Sequence, residues 1–326
     1  MPLSVAELAA LNLPSLRDEE FGPGTDRPWL AIDLTGASDL TMVERRLAAL
    51  PCPVIGVVSA PVDDRWKGAC DVLVNTQADL ASITAAIMSA PLAAMTFVQL
   101  MRAIEDMPPE PALIAESLAY GVLQAGPEFL AWLGAKSTVP RAGHDDGPAV
   151  IMAREERRLA LTLNRPSSRN AMSMEMRDAL SEALDLASAD PDVAVVELSA
   201  IGRCYSVGGD LSEFGEAPDP ATAHWVRSIR SPARSALRCA DKLRVRVHGA
   251  CIGSGIEVAA FAQRVTAAPN SFFQLPELRL GLLPGSGGCV SVGRRIGRHR
   301  TAYLVLTGRR IGARTALDWG LVDAIG

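Results

Sequence analysis

A glycine-rich turn leads directly into a glutamate at Gly249-Ala250-Cys251-Ile252-Gly253-Ser254-Gly255-Ile256-Glu257. Twenty residues later, Phe273-Gln274-Leu275-Pro276-Glu277 ends on a second glutamate. The turn is expected to open a helix, whose positive end favours an oxyanion. Two carboxylates brought together in an apolar setting can split their pKa values, so that one stays protonated while the other ionises. The pair Glu257 and Glu277 therefore suits the addition or removal of water.

Length and composition predict a globular protein. The chain has 326 residues, enough for two domains or one large one, with 48% hydrophobic and 21% charged residues. The net charge of −5 argues against a nucleic-acid partner, although local arginines can still bind phosphate. The six scattered cysteines form no CxxC motif, so we expect free thiols and no metal site.

Targeting and membrane signals are not found in the sequence. The N-terminus lacks the basic and apolar regions of a signal peptide. The most apolar stretch, 85–101, is interrupted by Pro91 and contains Gln99, so it falls short of a membrane span. We therefore expect a soluble, cytoplasmic protein with no membrane contact.

The first part of the chain predicts a small α/β layer followed by helices. The predicted strands are 30–34, 53–58 and 71–74, and the predicted helices are 41–50, 80–89, 91–107, 111–124 and 128–133. Ser38 or Asp39 is the expected N-cap of the first helix, and Asp79 that of the second.

A composition change divides the chain. Residues 136–148 are polar and rich in Gly and Pro, which predicts a linker between a domain at 1–135 and a second at 149–326. Beyond the linker, strands alternate with helices, so the fold class is α/β. The predicted strands are 158–163, 193–198 and 244–248, and the predicted helices are 173–189, 224–239 and one that opens at Gly253.

Several motifs of the second half, in order, resemble the crotonase (enoyl-CoA hydratase/isomerase) superfamily. They are LTLNRP at 161–166, RNAMS at 169–173, RCYSVGGDL at 203–211, GACIGSGIE at 249–257, FQLPELRLGLLPGSGG at 273–288, and RRI at 309–311 followed by ALDWGLV at 316–322. The resemblance covers about 150–326 and implies a crotonase-like spiral of ββα repeats.

The resemblance also implies roles for individual residues. The amides of Gly209 and Ser254 would form an oxyanion hole for a thioester carbonyl, and Glu257 and Glu277 would be catalytic. The other implied substrate-binding residues are Gly208, Gly253 and Gly255, which let the backbone approach the ligand, and Arg165 and Arg169, which would meet CoA phosphates.

The implied reaction is hydration of a trans-2-enoyl-CoA to a 3-hydroxyacyl-CoA, with a water held between the two glutamates. Three alternatives remain: an enoyl-CoA isomerase relying mainly on Glu277, another crotonase-type reaction on an aryl- or polyketide-derived CoA, and a non-catalytic CoA-binding protein. Coenzyme A enters as part of the substrate, no other cofactor is expected, and the family habit predicts a homotrimer or hexamer.

Some positions depart from the family pattern. Gln263-Arg264 replaces a Cys-Asp pair, Ser254 replaces the middle glycine of the turn, and Leu275 separates Gln274 from its proline. The family also continues past the position of Gly326 with about three helices that cover the active site. Because helices at 79–133 resemble those in order, we expect the N-terminal half to contribute a helical subdomain over the site, as in a circular permutation. An unrelated helical domain is the alternative.

Overall fold

The computed structural model describes residues 2–4, 7–8, 17–35, 41–59, 64–137 and 145–326. Its strands are β1 (Leu3–Ser4), β2 (Leu30–Asp33), β3 (Val54–Val57), β4 (Val72–Val74), β5 (Val150–Glu155), β6 (Arg158–Leu163), β7 (Val195–Ala200), β8 (Leu243–Val247), β9 (Ala250–Ile252), β10 (Arg264–Ala267), β11 (Phe272–Gln274), β12 (Ile311–Gly312) and β13 (Ala324–Ile325).

The helices are α1 (Thr41–Ala49), α2 (Asp64–Ala69), α3 (Gln77–Ser89), α4 (Pro91–Ile104), α5 (Pro109–Gln124), α6 (Pro127–Ala135), α7 (Met174–Ala189), α8 (Pro220–Ile229), α9 (Pro232–Arg238), α10 (Ser254–Ala259), α11 (Gly288–Thr307) and α12 (Ala313–Trp319). Short 3₁₀ turns occur at Asp18–Glu20, Pro166–Ser168, Leu211–Glu213 and Glu277–Leu280.

Two sheets organise the second half. The larger has the strand order β13-β10-β8-β7-β6-β5, with all neighbours parallel except β5 and β6. The smaller joins β9, β11 and β12, and single bridges at Ser206–Cys251 and Met172–Gly209 extend it. Successive chain segments therefore contribute one strand to each sheet and then a helix, which is the expected ββα order.

The first part of the chain forms a parallel sheet, β1-β2-β3-β4, followed by helices α3–α6. These helices do not stand apart from the second half, because α11 packs against α3, α4 and α5, and α5 packs against α8. A single hydrophobic core includes Ile83, Phe97 and Leu113 from the helices, and Leu161 and Val265 from the large sheet. The predicted boundary at 136–148 separates segments that share this core, and the domain limits stay a prediction.

A buried charge network fixes this packing. Asp71, at the start of β4, accepts hydrogen bonds from Arg102 of α4 and from Arg298 of α11, at 2.8 and 3.2 Å. Asp71 is 1% exposed, so losing both arginines would leave its charge buried without a cationic partner. The network holds the N-terminal layer, α4 and α11 in one arrangement.

Two local predictions are wrong. The helix predicted at 224–239 is two helices, because Ser231 caps α9 by accepting from the amide of Arg234, and Pro232 occupies the first turn. Asp79 is not the cap of α3, since the hydroxyl of Thr76 accepts from the Asp79 amide instead. The caps predicted at Ser38 or Asp39 lie outside the described residues.

None of the described helices is by itself long and apolar enough to cross a bilayer. One pair, α3 and α4, reaches that length and apolar content only when the two helices, bent by 110° relative to each other, are counted together.

Candidate active site

A cavity of about 670 Å³ lies where the smaller sheet meets helices α5 and α8. Residues from both halves of the chain line it. From the second half these include Gly208, Gly209, Gly253, Ser254, Glu257, Glu277, Leu282 and the Gly285–Gly287 turn, together with Thr222, Ala223, Val226 and Arg227 of α8; from α5 they are Leu113, Ile114, Glu116, Ser117, Tyr120 and Gln124.

Glu257 lies on the short helix α10 and is 2% exposed. Its Oε2 accepts hydrogen bonds from the amides of Ser286 and Gly288, at 2.7 and 3.0 Å. Burial raises the pKa of Glu257 to about 7, although these two amides favour the ionised form and act in the opposite direction. The carboxyl group can therefore change its protonation state near neutral pH.

Glu277 begins the 3₁₀ turn that follows β11. Its Oε2 is buried and finds no hydrogen-bond partner among the described residues. Burial, followed by the charge of Glu257, raises the pKa of Glu277 well above its usual range. The environment of Glu277 therefore favours its protonated form, and does so more strongly once Glu257 is ionised.

Gly253 lies between the two carboxyl groups. A Cβ atom there would be 2.6 Å from Oε1 of Glu277 and 3.8 Å from Oε1 of Glu257. The residue also has φ +49°, a conformation that glycine adopts without strain. The missing side chain leaves room for both Oε1 atoms to converge on one small volume, which lies beside the 249–257 segment.

The first and second oxyanion segments, as 203–211 and 249–257 are named for the role that the resemblance implies, lie side by side. The Ile252 amide donates to the Ser206 carbonyl, and a Cβ atom on Gly208 would be 3.0 Å from the Ile252 carbonyl oxygen. Within the described parts of the chain, the amides of Gly209 and Ser254 donate to no protein acceptor. Two unused donors thus border the cavity next to the carboxyl groups, as an oxyanion hole requires.

The remaining predicted substrate-binding residues do not line the cavity. Gly255 lets α10 approach the first oxyanion segment, because a Cβ atom there would be 2.9 Å from Cβ of Ser206. Arg165 is bound to Glu175 and to the carbonyl oxygens of Asn164 and Gly147. The side chain of Arg169 is exposed, and its role at CoA phosphates stays a prediction.

Helix α5 supplies one wall of the cavity, and the motif comparison names none of its residues. Its residues Leu113, Glu116, Ser117, Tyr120 and Gln124 recur at three- and four-residue steps and face the cavity. Glu116 is 2% exposed, and its two oxygens accept from backbone amides of the 285–289 turn. The sequence signal was a glutamate on an otherwise apolar helix face, where a charged side chain is uncommon without a partner.

Tyr120 and Arg227 form the part of the wall beyond the carboxyl groups. The Tyr120 ring packs so closely on Gly285 that any Cβ atom there would overlap it. The Arg227 guanidinium lies 4.8 Å from the centre of the same ring and donates to Ser117 and Gln124. These contacts join α5, α8 and the 285–289 turn around one side of the cavity.

Among the residues that the structure describes, no group of three or more His, Cys, Asp or Glu side chains is arranged to hold a metal ion. The expectation that no metal or separate cofactor takes part stays a prediction.

Comparison with known proteins identifies the second half. The sequence profile of the family described as Enoyl-CoA hydratase/isomerase matches residues 155–326. The 2,3-dehydroadipyl-CoA hydratase of Escherichia coli (strain K12) is 34% identical over 177 residues, which cover 54% of this chain and 68% of that protein. A probable enoyl-CoA hydratase, echA8, of Mycobacterium tuberculosis is 29% identical over 184 residues, which again cover 54% of this chain and 68% of that protein.

Solved structures agree with this match. An enoyl-CoA hydratase from Mycobacterium smegmatis superimposes with a TM-score of 0.51 at 29% identity, covering 55% of this chain and 70% of that one. A putative enoyl-CoA hydratase/isomerase from Mycobacterium abscessus gives a TM-score of 0.50 at 33% identity, covering 54% and 70%. The expected crotonase-like α/β fold is thereby confirmed. Since the family profile matches just over half of its residues, this chain belongs to the enoyl-CoA hydratase/isomerase, or crotonase, family of acyl-CoA enzymes.

Proposed function

We propose that this chain adds water to a trans-2-enoyl-CoA and forms a 3-hydroxyacyl-CoA. One observation carries the proposal: Oε1 of Glu257 and Oε1 of Glu277 converge above Gly253, beside two amides that have no acceptor among the described residues. A water molecule held between the two carboxyl groups would lie next to a thioester whose oxygen binds those amides. The names of the hydratase relatives support the same reaction.

The environments of the two glutamates give each a different role. Oε2 of Glu257 is held by two amides, so Oε1 remains to accept a proton from water while the water oxygen attacks C3. Glu277, whose pKa is raised by burial and by the charge of Glu257, delivers its proton to C2. Each general acid or base of this kind typically contributes about 10²–10⁴-fold.

The oxyanion hole stabilises the charge that this attack creates. Electrons move from the double bond onto the thioester oxygen, where the amides of Gly209 and Ser254 would donate. Losing one such donor typically costs about 2.7–4 kcal/mol of transition-state stabilisation. Ser254 also opens α10, and its hydroxyl is buried with no partner in the described chain.

Separate assays with 2-enoyl-CoA and 3-enoyl-CoA substrates test the proposal. We expect turnover of the former, and a loss of about 10²-fold or more in kcat for Glu257→Gln and for Glu277→Gln. Glu110→Gln, an exposed position on α5, is the control. Turnover of the 3-enoyl substrate alone would make the protein an isomerase, and turnover unaffected by both variants would contradict these catalytic roles.

The proposal also covers the cofactor, the assembly and the localisation of the protein. Coenzyme A is part of the substrate, no further cofactor takes part, and the assembly is a homotrimer or hexamer in the cytoplasm. Helices α3–α6 act as the cover of the site, since α5 supplies one wall of the cavity. Light scattering of the purified protein, with and without an acyl-CoA, measures the assembly.

A further inference from the structure

Four successive amides before and at the start of α11 are shared between two carboxyl groups. They belong to Ser286–Cys289 and alternate strictly. The first and third donate to Oε2 of Glu257, at 2.7 and 3.0 Å. The second and fourth donate to Oε1 and Oε2 of Glu116, at 2.6 and 2.9 Å. The two glutamates therefore hold opposite sides of one backbone segment.

The segment is closely packed on its neighbours. A Cβ atom on Gly287 would be 2.6 Å from the ring of Phe261 and 2.7 Å from Cβ of Ala233. On Gly288 it would be 2.5 Å from Cγ of Glu257. Because the four amides belong to consecutive residues, a change in how Glu116 holds the amides of Gly287 and Cys289 should also move those of Ser286 and Gly288, which donate to Glu257.

Glu116 comes from α5, outside the region that matches the family profile, and it lines the same cavity as the two proposed catalytic glutamates. Two polar atoms in that cavity, Oγ of Ser254 and Oε2 of Glu277, are buried without a partner in the described residues, as expected where a ligand supplies the missing contacts.

We propose that Glu116 is a positioning residue for the proposed reaction: it fixes the Ser286–Cys289 segment so that two amides stay on Oε2 of Glu257 and Oε1 stays turned towards Glu277. The inference rests on the proposed function. It makes the N-terminal half of the chain a contributor to the chemistry as well as a cover over the cavity.

The charged and titratable groups around Glu116 come from several elements. They are Glu257 of α10, Glu277 of the 3₁₀ turn, Tyr120 of α5, Arg227 of α8 and Cys289 of α11. Burial, followed by the charge of Glu257, raises the pKa of Glu116, while the amides it holds act in the opposite direction. Because the raised pKa favours the uncharged form of Glu116, we expect it to act on Glu257 through the amides that alternate between the two carboxyl groups.

Glu116→Gln tests the role, because a carboxamide has one acceptor oxygen where a carboxyl group has two. One amide loses its partner, the segment shifts, and Glu257 loses donors that favour its ionised form. We expect the acidic limb of the kcat/KM profile to move up by about one pH unit. Activity lost at neutral pH should return at higher pH, which a merely structural defect would not show.

Glu128→Gln is a matched control. Glu128 holds the start of α4 in the same way, accepting from the amides of Leu92 and Ala93 at 2.7 and 2.9 Å, and it lies outside the large cavity. It should lose stability without a change in the pH profile. Identical profiles for the wild type and both variants would overturn the proposal, and so would a shift of the acidic limb to lower pH in Glu116→Gln.

A carboxyl NMR titration of Glu257, whose signal is assigned by its loss in Glu257→Gln, distinguishes a failure of the proposed function from a failure of the Glu116 role. If the wild type hydrates no 2-enoyl-CoA, the proposed function fails, and the titration still decides whether Glu116→Gln raises the pKa of Glu257. If Glu116→Gln does not fold, Glu116→Asp replaces it. Asp keeps the carboxyl group but withdraws its oxygens by one methylene, and an unchanged titration there would overturn the positioning role.

Discussion

Replacing Glu257 with glutamine should make the folded protein more stable while it removes the proposed activity. Burial raises the pKa of Glu257 from 4.5 to about 7. The unfolded chain releases this proton near pH 4.5, whereas the folded chain keeps it until pH rises towards 7. The stability that the protonated group contributes is therefore complete below pH 4.5 and is lost between these two values.

The size of the effect follows from the shift. A difference of about 2.5 pKa units corresponds to about 3 kcal/mol at 1.36 kcal/mol per unit. Glutamine resembles the protonated acid in shape and does not ionise. The free energy of unfolding of Glu257→Gln should therefore match that of the wild type below pH 4.5 and exceed it by about 3 kcal/mol above pH 7.

Urea unfolding at about pH 5 and about pH 8 measures this difference. Glu110→Gln, on the exposed side of α5, controls for the loss of a glutamate charge and should show no such trend. If the wild type and Glu257→Gln differ by the same amount at both pH values, the burial of Glu257 does not act through its proton. Burial would then not set the ionisation of Glu257 near neutral pH, and Glu257 would not be the base proposed for this reaction.

Three further outcomes are expected. The value of kcat/KM should rise with pH through about 7, where Glu257 becomes a base, and fall again where Glu277 loses the proton it donates; a pH–rate profile shows both limbs. Gly288→Ala would place Cβ 2.5 Å from Cγ of Glu257 and should lower kcat/KM by about 10²-fold, whereas Gly293→Ala on the same helix, whose Cβ meets only a flexible side chain at 3.2 Å, should not. Ser254→Ala keeps the amide and removes a buried hydroxyl without a partner in the described chain, so kcat should be nearly unchanged, and a large loss would assign the donor role to the hydroxyl.

The sequence predicted those parts of the site that are encoded locally. Glu257 follows its glycine turn within one helical turn, and Gly209 lies in a short glycine pair, so each carries a readable backbone signal. The break between α8 and α9 is also encoded locally, by Ser231-Pro232, although a single helix is predicted over 224–239.

Side-chain partners chosen by tertiary packing could not be predicted in this way. Arg165 occupies a motif position expected to meet phosphate, and that role stays a prediction; the folded chain places Glu175 and two carbonyl oxygens around its guanidinium. Nothing in the local sequence indicates that Glu175, one residue into α7, would turn back onto the loop before it. Composition around an arginine therefore does not show whether its charge is free for a ligand.

Glu116 shows how much such distant contacts matter for function. It lies 171 residues before Gly287, whose amide it accepts, and its own helix has the apolar spacing of an ordinary packed helix. A glutamate on that face would be costly to bury unless it met donors elsewhere. The first amides of α11 are donors of this kind, because a helix N-terminus leaves them without partners inside the helix. The two amides that hold Glu116 alternate with the two that hold Glu257, so the packing of α5 on α11 and the ionisation of the proposed base depend on one backbone segment. A change in α5 that leaves the fold intact should therefore still alter the pH at which Glu257 can act.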